Sequence, residues 1–543
     1  MATAAAVPAV PRQNQTIRWV DCHANVPQPM ESVLNVTGTT FTGSLPMQAD
    51  PGWMQHLRQW ATALNLSSGA PFTGLEEFDF LAVNTRGLQF SNPLNCSFGV
   101  FFNNVSFALR DEYDQYQAAM TNFYTACTNS TTPQGIMEHI GTVENIQDWD
   151  SVRAALGYEK VSFAGVSYGT FVGMAYAGRF PDRVDRFVLD ATIPHGMPFQ
   201  DMVTDQVAAA NRLLLRADAF CLTDPTCPFH GQGNGSVVKV SFRIVHPRPT
   251  LTRVSQAWDT LLAQATTAPL PALSCGAGKG CNTPVTPTDL RLGVSVLFRA
   301  NPDFPQFNIA LNASLHGDAS LFAYEPLGDI RETVVSPLLC SDFKIDDADK
   351  TFAGFNNISV NSQSSDPAGI VYSQIWQFVL MCAAWPFPVP DRTTLPTDLP
   401  LMWMTSDFDL NLPTELTTFA WGQAPNSTLV IRHGDDHTSI LLAPPATRAQ
   451  GIAQDFLRTG VMPSASSDSE VTILSPGDTR GPLPGAYDVP TGAIAGDTSV
   501  VENIVAVASA SPSPSPSSNA NGAEALRFRS ALGLALAVGV VVA

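Results

Sequence analysis

The chain has 543 residues, of which 45% are hydrophobic and 9% aromatic, so it can bury a large core and is not disordered as a whole. Only 14% are charged, and 48 acidic against 29 basic residues leave a formal net charge of −19. Such a chain lacks the basic surface that attracts nucleic acid or an anionic membrane, and we expect neither as an electrostatic partner. The composition is typical of a soluble protein of an acidic or extracellular medium.

Strand and helix patterns alternate in an early and a late part of the chain, but not in the stretch between them. In the first half, helices are predicted at 54–64, 111–128, 145–156 and 170–180, and strands at 78–83, 161–166 and 186–191. In the second half, strands are predicted at 399–405 and 429–432, and helices at 413–422 and 439–460. The alternation predicts an α/β fold with one parallel sheet, built from residues 51–195 and 396–462 and interrupted by a long helical lid over 196–395.

Residues outside that domain are predicted to do other work. The first 50 residues have few strand signals and stay poorly defined; Met1–Val10 is either a marginal signal peptide or the natural start lies upstream. Residues 463–523 are predicted to be a Ser/Pro-rich stalk, and 524–543 the polar spacer and apolar tail of a glycolipid (GPI) anchor signal. Asn521 is the candidate attachment residue, because it begins the small triplet Asn521-Gly-Ala523 before the spacer. The apolar end is too short to span a bilayer. The alternative is a disordered tail with a chance apolar end.

Cysteine spacing and glycosylation triplets indicate an oxidising compartment. None of the nine cysteines forms a CxxC pair, so we predict no metal site and no cofactor. Cys221/Cys227 and Cys275/Cys281 share a short spacing within turn-rich sequence and predict two disulfide loops. The Asn-x-Ser/Thr triplets begin at Asn14, Asn35, Asn65, Asn95, Asn104, Asn129, Asn234, Asn312, Asn357 and Asn426. We expect a glycoprotein of the secretory pathway, extracellular or held at the cell surface.

Gly165-Val-Ser-Tyr-Gly169 is the strongest chemical signal in the chain. This G-x-S-x-G sequence lies directly after an apolar strand and directly before a helix. The glycines permit a tight turn that holds the serine in a strained conformation above the sheet, and the helix N-terminus supplies N–H donors for an oxyanion. The pattern predicts Ser167 as a nucleophile and the N–H of Tyr168 as an oxyanion donor.

A nucleophilic serine needs an orienting carboxylate and a histidine, in that order along the chain. Asp409, which follows the strand at 399–405, is the predicted acid, and Asp407 is the alternative. His437 is the predicted base, because it lies at the tip of the loop after the next strand, whereas His433 is closer to the strand and is interpreted as structural. The acids between the histidines, Asp435 and Asp436, are expected to be solvated.

These motifs resemble the α/β-hydrolases of the prolyl and tripeptidyl aminopeptidase type (S33-like peptidases with a TAP-like C-terminal region). The resembling segments are 78–87, 165–170, 179–190, 340–342, 382–386, 406–413 and 433–438. The resemblance implies a Ser-Asp-His hydrolase with a helical lid, often an exopeptidase acting at peptide N-termini. It also suggests a disulfide between Cys340 and Cys382. If Cys96 in addition pairs with Cys127 and the two short loops close, Cys22 is left alone.

The sequence departs from that family before the nucleophile. The family carries several N-terminal strands and a Gly-rich loop that donates a second N–H to the oxyanion hole. Here the nearest remnant is Asp50-Pro51-Gly52, and Asn84 stands where the family tends to have an acid. We therefore expect the N-terminal strands of the core to be incomplete.

The lid should set specificity, and Asp342 is the candidate carboxylate for the α-ammonium group of a peptide substrate. The leading interpretation is an aminopeptidase acting on peptides. An ester hydrolase or lipase on the same triad is the alternative. A catalytically silent binding protein that kept the fold is the alternative of another class. In every case, we expect membrane contact only through the lipid anchor.

Overall fold

The computed structural model describes a set of segments that together contain most of the predicted domain. They are residues 17–21, 39–43, 80–81, 85–87, 94–96, 109–238, 256–275, 284–299, 301–323, 330–371, 373–390, 395–396, 398–440, 447–489 and 537–542. The predicted helix at 54–64, Asp50-Pro51-Gly52, Asn84, Asn521 and most of the tail lie outside these segments.

Within the described segments, ten strands form two sheets. They are β1 Ile17–Asp21, β2 Thr39–Gly43, β3 Phe80–Leu81, β4 Val161–Ser167, β5 Val184–Asp190, β6 Leu401–Ser406, β7 Thr428–Arg432, β8 Ser466–Ser467, β9 Val471–Leu474 and β10 Ala537–Val542. The first two pair antiparallel in a separate two-stranded sheet, which the sequence did not predict. The other eight form one sheet in the order β3-β10-β4-β5-β6-β7-β9-β8. Its centre, β4 to β7, is parallel, and the flanking pairs are antiparallel.

Twelve α-helices are described. They are α1 Arg110–Ser130, α2 Thr142–Leu156, α3 Tyr168–Arg179, α4 Phe199–Thr223, α5 Ala257–Thr267, α6 Pro287–Phe298, α7 Phe304–Leu315, α8 Ile330–Asp342, α9 Phe352–Ser362, α10 Gln374–Cys382, α11 Thr414–Gly422 and α12 Arg448–Thr459. The last helix begins at Arg448, whereas the sequence predicted a start at Ser439. Thr447 caps it by accepting a hydrogen bond from the N–H of Gln450, and Gly460 ends it at a φ of 71°.

Burial on both faces explains why the parallel strands β6 and β7 are rich in apolar residues. Every residue of β6 and β7 is buried, as expected for strands with both faces covered. Two hydrophobic cores follow from this arrangement: one holds the sheet, its flanking helices and the lid helices α8 and α10. The other lies within the lid, around α5, α6 and α7, and it includes Phe408 and Leu410 from the loop after β6. The lid is therefore packed onto the loop that carries the predicted acid.

The predicted stalk is wrong for its first part. Residues 471–474 form β9, which pairs antiparallel with β7 and has alternating buried side chains. Further along, Ala486 and Val489 are buried in the lid core, and their carbonyls accept hydrogen bonds from Arg216. Composition suggested an unfolded linker, but the apolar residues here are few and well placed, and they bury against partners distant in sequence.

Part of the predicted anchor tail is also a strand. Ala537–Val542 pairs antiparallel with β4 on one side and with β3 on the other. The same apolar, β-branched composition that resembles an anchor signal also suits a strand in the interior of a sheet.

Candidate active site

The turn between β4 and α3 has the geometry of a nucleophile elbow. Ser167 ends the strand with φ 56° and ψ −125°, a conformation that residues with side chains rarely adopt. A Cβ atom at Gly165 would lie 2.7 Å from the carbonyl oxygen of Gly169, so the turn excludes any side chain at that position. The lack of a side chain at Gly165 therefore permits the tight turn that keeps Ser167 strained, as the G-x-S-x-G pattern predicted.

Asp409 and His437 meet at the same edge of the sheet. Oδ2 of Asp409 is 2.8 Å from Nδ1 of His437, and Oδ1 accepts a hydrogen bond of 3.0 Å from the N–H of Leu412. Both side chains are buried, with exposures of 0% and 3%. The carboxyl ends of β4, β6 and β7 share this edge, because the strands are parallel. The topology thus brings the two loops and the serine turn to one end of the sheet.

The pair leaves one imidazole nitrogen of His437 available. Nδ1 faces the carboxylate and is therefore the protonated nitrogen, which makes Nε2 an acceptor. Nε2 is buried and has no hydrogen-bond partner among the residues that the structure describes. A buried nitrogen that can accept a proton is what a hydroxyl nucleophile requires of its base.

Backbone hydrogen bonds tie the acid loop to the base loop. The N–H of Asp407 donates to the carbonyl of Arg432, and that of Phe408 to the carbonyl of Gly434, both at 3.1 Å. These contacts extend the pairing of β6 and β7 beyond the strand ends. They fix the loop of Asp409 beside the loop of His437.

The expectation that Asp435 and Asp436 are solvated is wrong. Asp435 is 2% exposed and pairs with both Nε and Nη2 of Arg216, at 2.6 and 2.8 Å. Asp436 is fully buried, and its Oδ2 lies 2.9 Å from Nη1 of Arg432. Two buried arginines, one from the lid and one from β7, thus hold the loop that carries His437.

Asp190 is a further residue of the site, and sequence reasoning missed it. It ends β5, is fully buried, and accepts hydrogen bonds from the N–H groups of Ser439 and Ile440, directly after the His437 loop. Burial raises its pKa to about 6, although these N–H groups and the charge of Arg432 oppose the shift. Its position at the carboxyl end of a parallel strand was the only signal that could have identified it.

A second Asp–His pair lies beside the first. Nδ1 of His433 is 2.7 Å from Oδ2 of Asp407, and its Nε2 is 3.0 Å from Oγ1 of Thr472 on β9. Both nitrogens are therefore engaged within the protein. This agrees with the structural role that the sequence suggested for His433.

The predicted lid carboxylate, Asp342, is directed at the elbow. It is buried at the end of α8 and accepts hydrogen bonds from Thr142 and from the hydroxyl of Tyr168. Tyr168 begins α3, and its backbone N–H is the predicted oxyanion donor. The structure therefore places Asp342 next to the oxyanion residue and in contact with protein donors.

Several predicted disulfides lie in the described segments. Cys96 pairs with Cys127, Cys221 with Cys227, and Cys340 with Cys382. Cys275 is also disulfide-bonded, while Cys281 falls outside the described residues.

Two other kinds of site are absent from the described segments. In those ranges, no group of three or more His, Cys, Asp or Glu side chains could hold a metal ion. None of the helices described there has the length and apolar character needed to span a bilayer.

Two family models match the chain. The model of the alpha/beta hydrolase fold matches residues 51–231, and the model described as TAP-like protein matches residues 368–469. The first match contains the serine elbow, and the second contains both Asp–His pairs. The chain is therefore similar to the α/β-hydrolases and has their fold. Its predicted fold class is confirmed, and its C-terminal part matches the TAP-like type.

Curated relatives are distant and match in part. Serine protease Hip1 of Mycobacterium tuberculosis is 25% identical over 296 residues, covering 46% of this chain and 54% of that protein. Tripeptidyl aminopeptidase of Streptomyces lividans is 28% identical over 224 residues, covering 35% and 41%. Putative hydrolase YuaR of Escherichia coli is 26% identical over 175 residues, covering 31% and 33%. The chain thus spans about half the length, or less, of the curated relatives that it matches.

Proposed function

We propose that this protein is a serine hydrolase that cleaves peptide bonds near the N-terminus of peptides. The observation that carries the proposal is the Asp409–His437 pair, whose free Nε2 lies at the sheet edge where the strained Ser167 is held. The TAP-like match and the relatives named serine protease and tripeptidyl aminopeptidase support a peptide as the substrate.

In the proposed mechanism, Oγ of Ser167 attacks the carbonyl carbon while Nε2 of His437 takes the hydroxyl proton. The oxygen of the tetrahedral intermediate accepts a hydrogen bond from the N–H of Tyr168. His437 then gives its proton to the leaving amine, and the acyl group stays on Ser167. In the second half-reaction, a water molecule gives a proton to His437 and attacks the acyl group. His437 returns the proton to Oγ of Ser167, and the carboxylic acid product leaves.

Asp409 serves this cycle without taking a proton. Its carboxylate holds Nδ1–H of His437 and stabilises the imidazolium that forms in each half-reaction. The N–H of Leu412, which donates to the other carboxylate oxygen, fixes the orientation of the acid. The two buried ion pairs of the His437 loop limit its movement between steps.

Labelling by a fluorophosphonate probe tests this function directly. We expect the wild-type protein to react, Ser167→Ala to remain unlabelled, and Ser162→Ala to react like wild type. Ser162 is a matched control, because it lies on the same strand, is buried and hydrogen-bonds Asp185 away from the elbow. Absence of label on the wild type would favour the silent binding protein and overturn the proposal.

Chromogenic substrates then distinguish the substrate classes. Peptides with a free N-terminus, releasing a proline or a tripeptide, are expected to be turned over faster than acyl esters that lack an ammonium group. Turnover confined to the esters would replace the peptidase with the ester hydrolase or lipase.

We also propose that the protein is a disulfide-bonded glycoprotein of the secretory pathway, held at the cell surface by a glycolipid anchor at Asn521. The acceptor residues Asn129, Asn234, Asn357 and Asn426 are exposed, which supports glycosylation. Attachment at Asn521 would remove β10, so an anchored molecule has β4 without this neighbour. Release from cells by phosphatidylinositol-specific phospholipase C is the expected result, and retention after treatment would contradict the anchor.

A further inference from the structure

The side chain of Tyr168 is buried and held by contacts within the protein. Its ring is 4% exposed and stacks on Phe171, with centroids 5.8 Å apart and an interplanar angle of 8°. Its hydroxyl donates to Oδ2 of Asp342 and lies 3.3 Å from Oγ1 of Thr142. Tyr168 follows the nucleophile, so what holds its side chain also determines the direction of its backbone N–H.

Asp342 reaches this hydroxyl from the lid, and it also caps a helix of the core. Its Oδ1 accepts the N–H of Thr142 at 2.8 Å, and its Oδ2 accepts the hydroxyl of Thr142 at 2.6 Å. The N-cap residue of α2 is Gly141, which has no side chain to make these bonds. A Cβ atom there would lie 3.3 Å from Oδ1 of Asp342, so the glycine leaves room for the lid carboxylate.

The side chains of Thr142, Tyr168 and Asp342 form one buried network, in which the two hydroxyls donate to the carboxylate. Thr142 is 2% and Asp342 5% exposed, and the N-terminus of α2 favours the negative charge on Asp342. Burial, and after it the charge of Asp342, raises the pKa of Tyr168 well above its usual range. The tyrosine therefore remains a hydroxyl donor throughout the range in which a histidine base works.

We propose that Asp342 is a positioning residue of the oxyanion hole: it holds Tyr168 through the hydroxyl and so directs the N–H that stabilises the intermediate. This inference rests on the proposed function. It also ties catalysis to the lid, because α8 supplies the carboxylate. In this structure, Asp342 accepts hydrogen bonds from protein donors, whereas the sequence suggested a contact with the substrate ammonium group.

Asp342→Asn and Tyr168→Phe test the network. Asp342→Asn removes the carboxylate that accepts the hydroxyl of Tyr168, and Tyr168→Phe removes that hydroxyl. In each variant we expect kcat to fall by about 10- to 100-fold with KM within about twofold of wild type, because a small misplacement of a catalytic group selectively weakens the stabilisation of the transition state. The rate of labelling by the fluorophosphonate should fall in parallel. The double variant should be no slower than the slower single variant, because both changes remove the same contact between Tyr168 and Asp342.

Two matched variants control for the chemistry of the substitutions. Asp366→Asn changes a lid carboxylate that accepts hydrogen bonds from Asn211, Ile370 and Val371, away from the elbow. Tyr124→Phe removes a buried hydroxyl that donates to the carbonyl of Met381. Both should retain the wild-type kcat, whatever their effect on melting temperature.

Three results would overturn the inference. If Asp342→Asn and Tyr168→Phe lower the melting temperature but keep kcat per titrated active site, the network is only structural. If Asp342→Asn raises KM for peptides with a free N-terminus but not for esters, while Tyr168→Phe has no effect, Asp342 binds the substrate ammonium group. A wild-type protein without label or turnover would overturn the proposed function as well, which separates that failure from the other two.

Discussion

Two Asp–His pairs lie side by side in this protein, and they differ at a single nitrogen. The bond between carboxylate and Nδ1 is 2.8 Å in Asp409–His437 and 2.7 Å in Asp407–His433. Nε2 of His433 is engaged by Thr472, whereas Nε2 of His437 has no partner in the described part of the chain. An aspartate beside a histidine is therefore not in itself a sign of catalysis. The free nitrogen distinguishes a base from a structural link.

The surroundings of the two pairs differ in the same sense. His433 is 19% exposed and connects β9 to the sheet, since its N–H also donates to the carbonyl of Glu470. His437 is 3% exposed, and its loop is held by Arg216, Arg432 and Asp190. One pair joins two strands, whereas the other is held by its surroundings and is the proposed catalytic pair.

The largest expected effect separates the two carboxylates. Asp409→Asn should lower kcat by about 10⁴-fold, because an amide no longer fixes the tautomer of His437 or stabilises the imidazolium. Asp407→Asn is the matched change in the other pair, and we expect it to lower kcat by less than about tenfold. Steady-state kinetics on one peptide substrate measures both. Equal losses in the two variants would contradict the division of roles.

The next effect concerns how the His437 loop is held. Arg216→Met leaves the buried Asp435 without its partner and should lower the free energy of unfolding by about 3–5 kcal/mol. Arg212→Met, one turn away on α4, breaks a partly exposed pair with Glu415 and should cost about 1 kcal/mol or less. Denaturant unfolding compares them. A similar loss in both would mean that the buried pair has no special part in holding the loop.

The smallest effect is a dependence of stability on pH at the third support of this loop. Because the pKa of Asp190 is about 6 in the folded protein and about 4 in an unfolded chain, the folded state binds more protons between these values. Its contribution to the free energy of unfolding is complete below about pH 4 and falls by up to about 3 kcal/mol as pH rises to 6 and above. We expect Asp190→Asn to flatten the stability profile over that interval. An unchanged slope would show that Asp190 does not titrate there.

Local patterns in the sequence predicted the parts of the protein that local physics determines. The strand, turn and helix around Ser167 follow from an apolar run, two glycines and a helical stretch, and the structure has all three there. The strands before Asp409 and His437 are confirmed within two residues at each end. Each of these features is encoded within about ten neighbouring residues.

Contacts between distant residues were beyond the reach of these patterns. Asp435 and Asp436 look like solvated acids in a Gly-containing loop, and Arg216, which buries one of them, is 219 positions away. Likewise, residues 471–474 form β9 by pairing with the distant strand β7, whereas the composition of 463–489 resembles that of a stalk. The capping of α2 by Asp342 spans 200 positions. Such contacts depend on tertiary packing, which local patterns in a single sequence do not reveal.

The most direct test of the central claim compares the two histidines by the rate at which a fluorophosphonate labels Ser167. His437→Gln should slow labelling by about 10³-fold or more, because the hydroxyl of Ser167 loses its base. His433→Gln should stay within about tenfold of wild type, because that residue touches no reacting atom. Slow labelling in His433→Gln together with wild-type labelling in His437→Gln would contradict the assignment of Asp409–His437 as the catalytic pair.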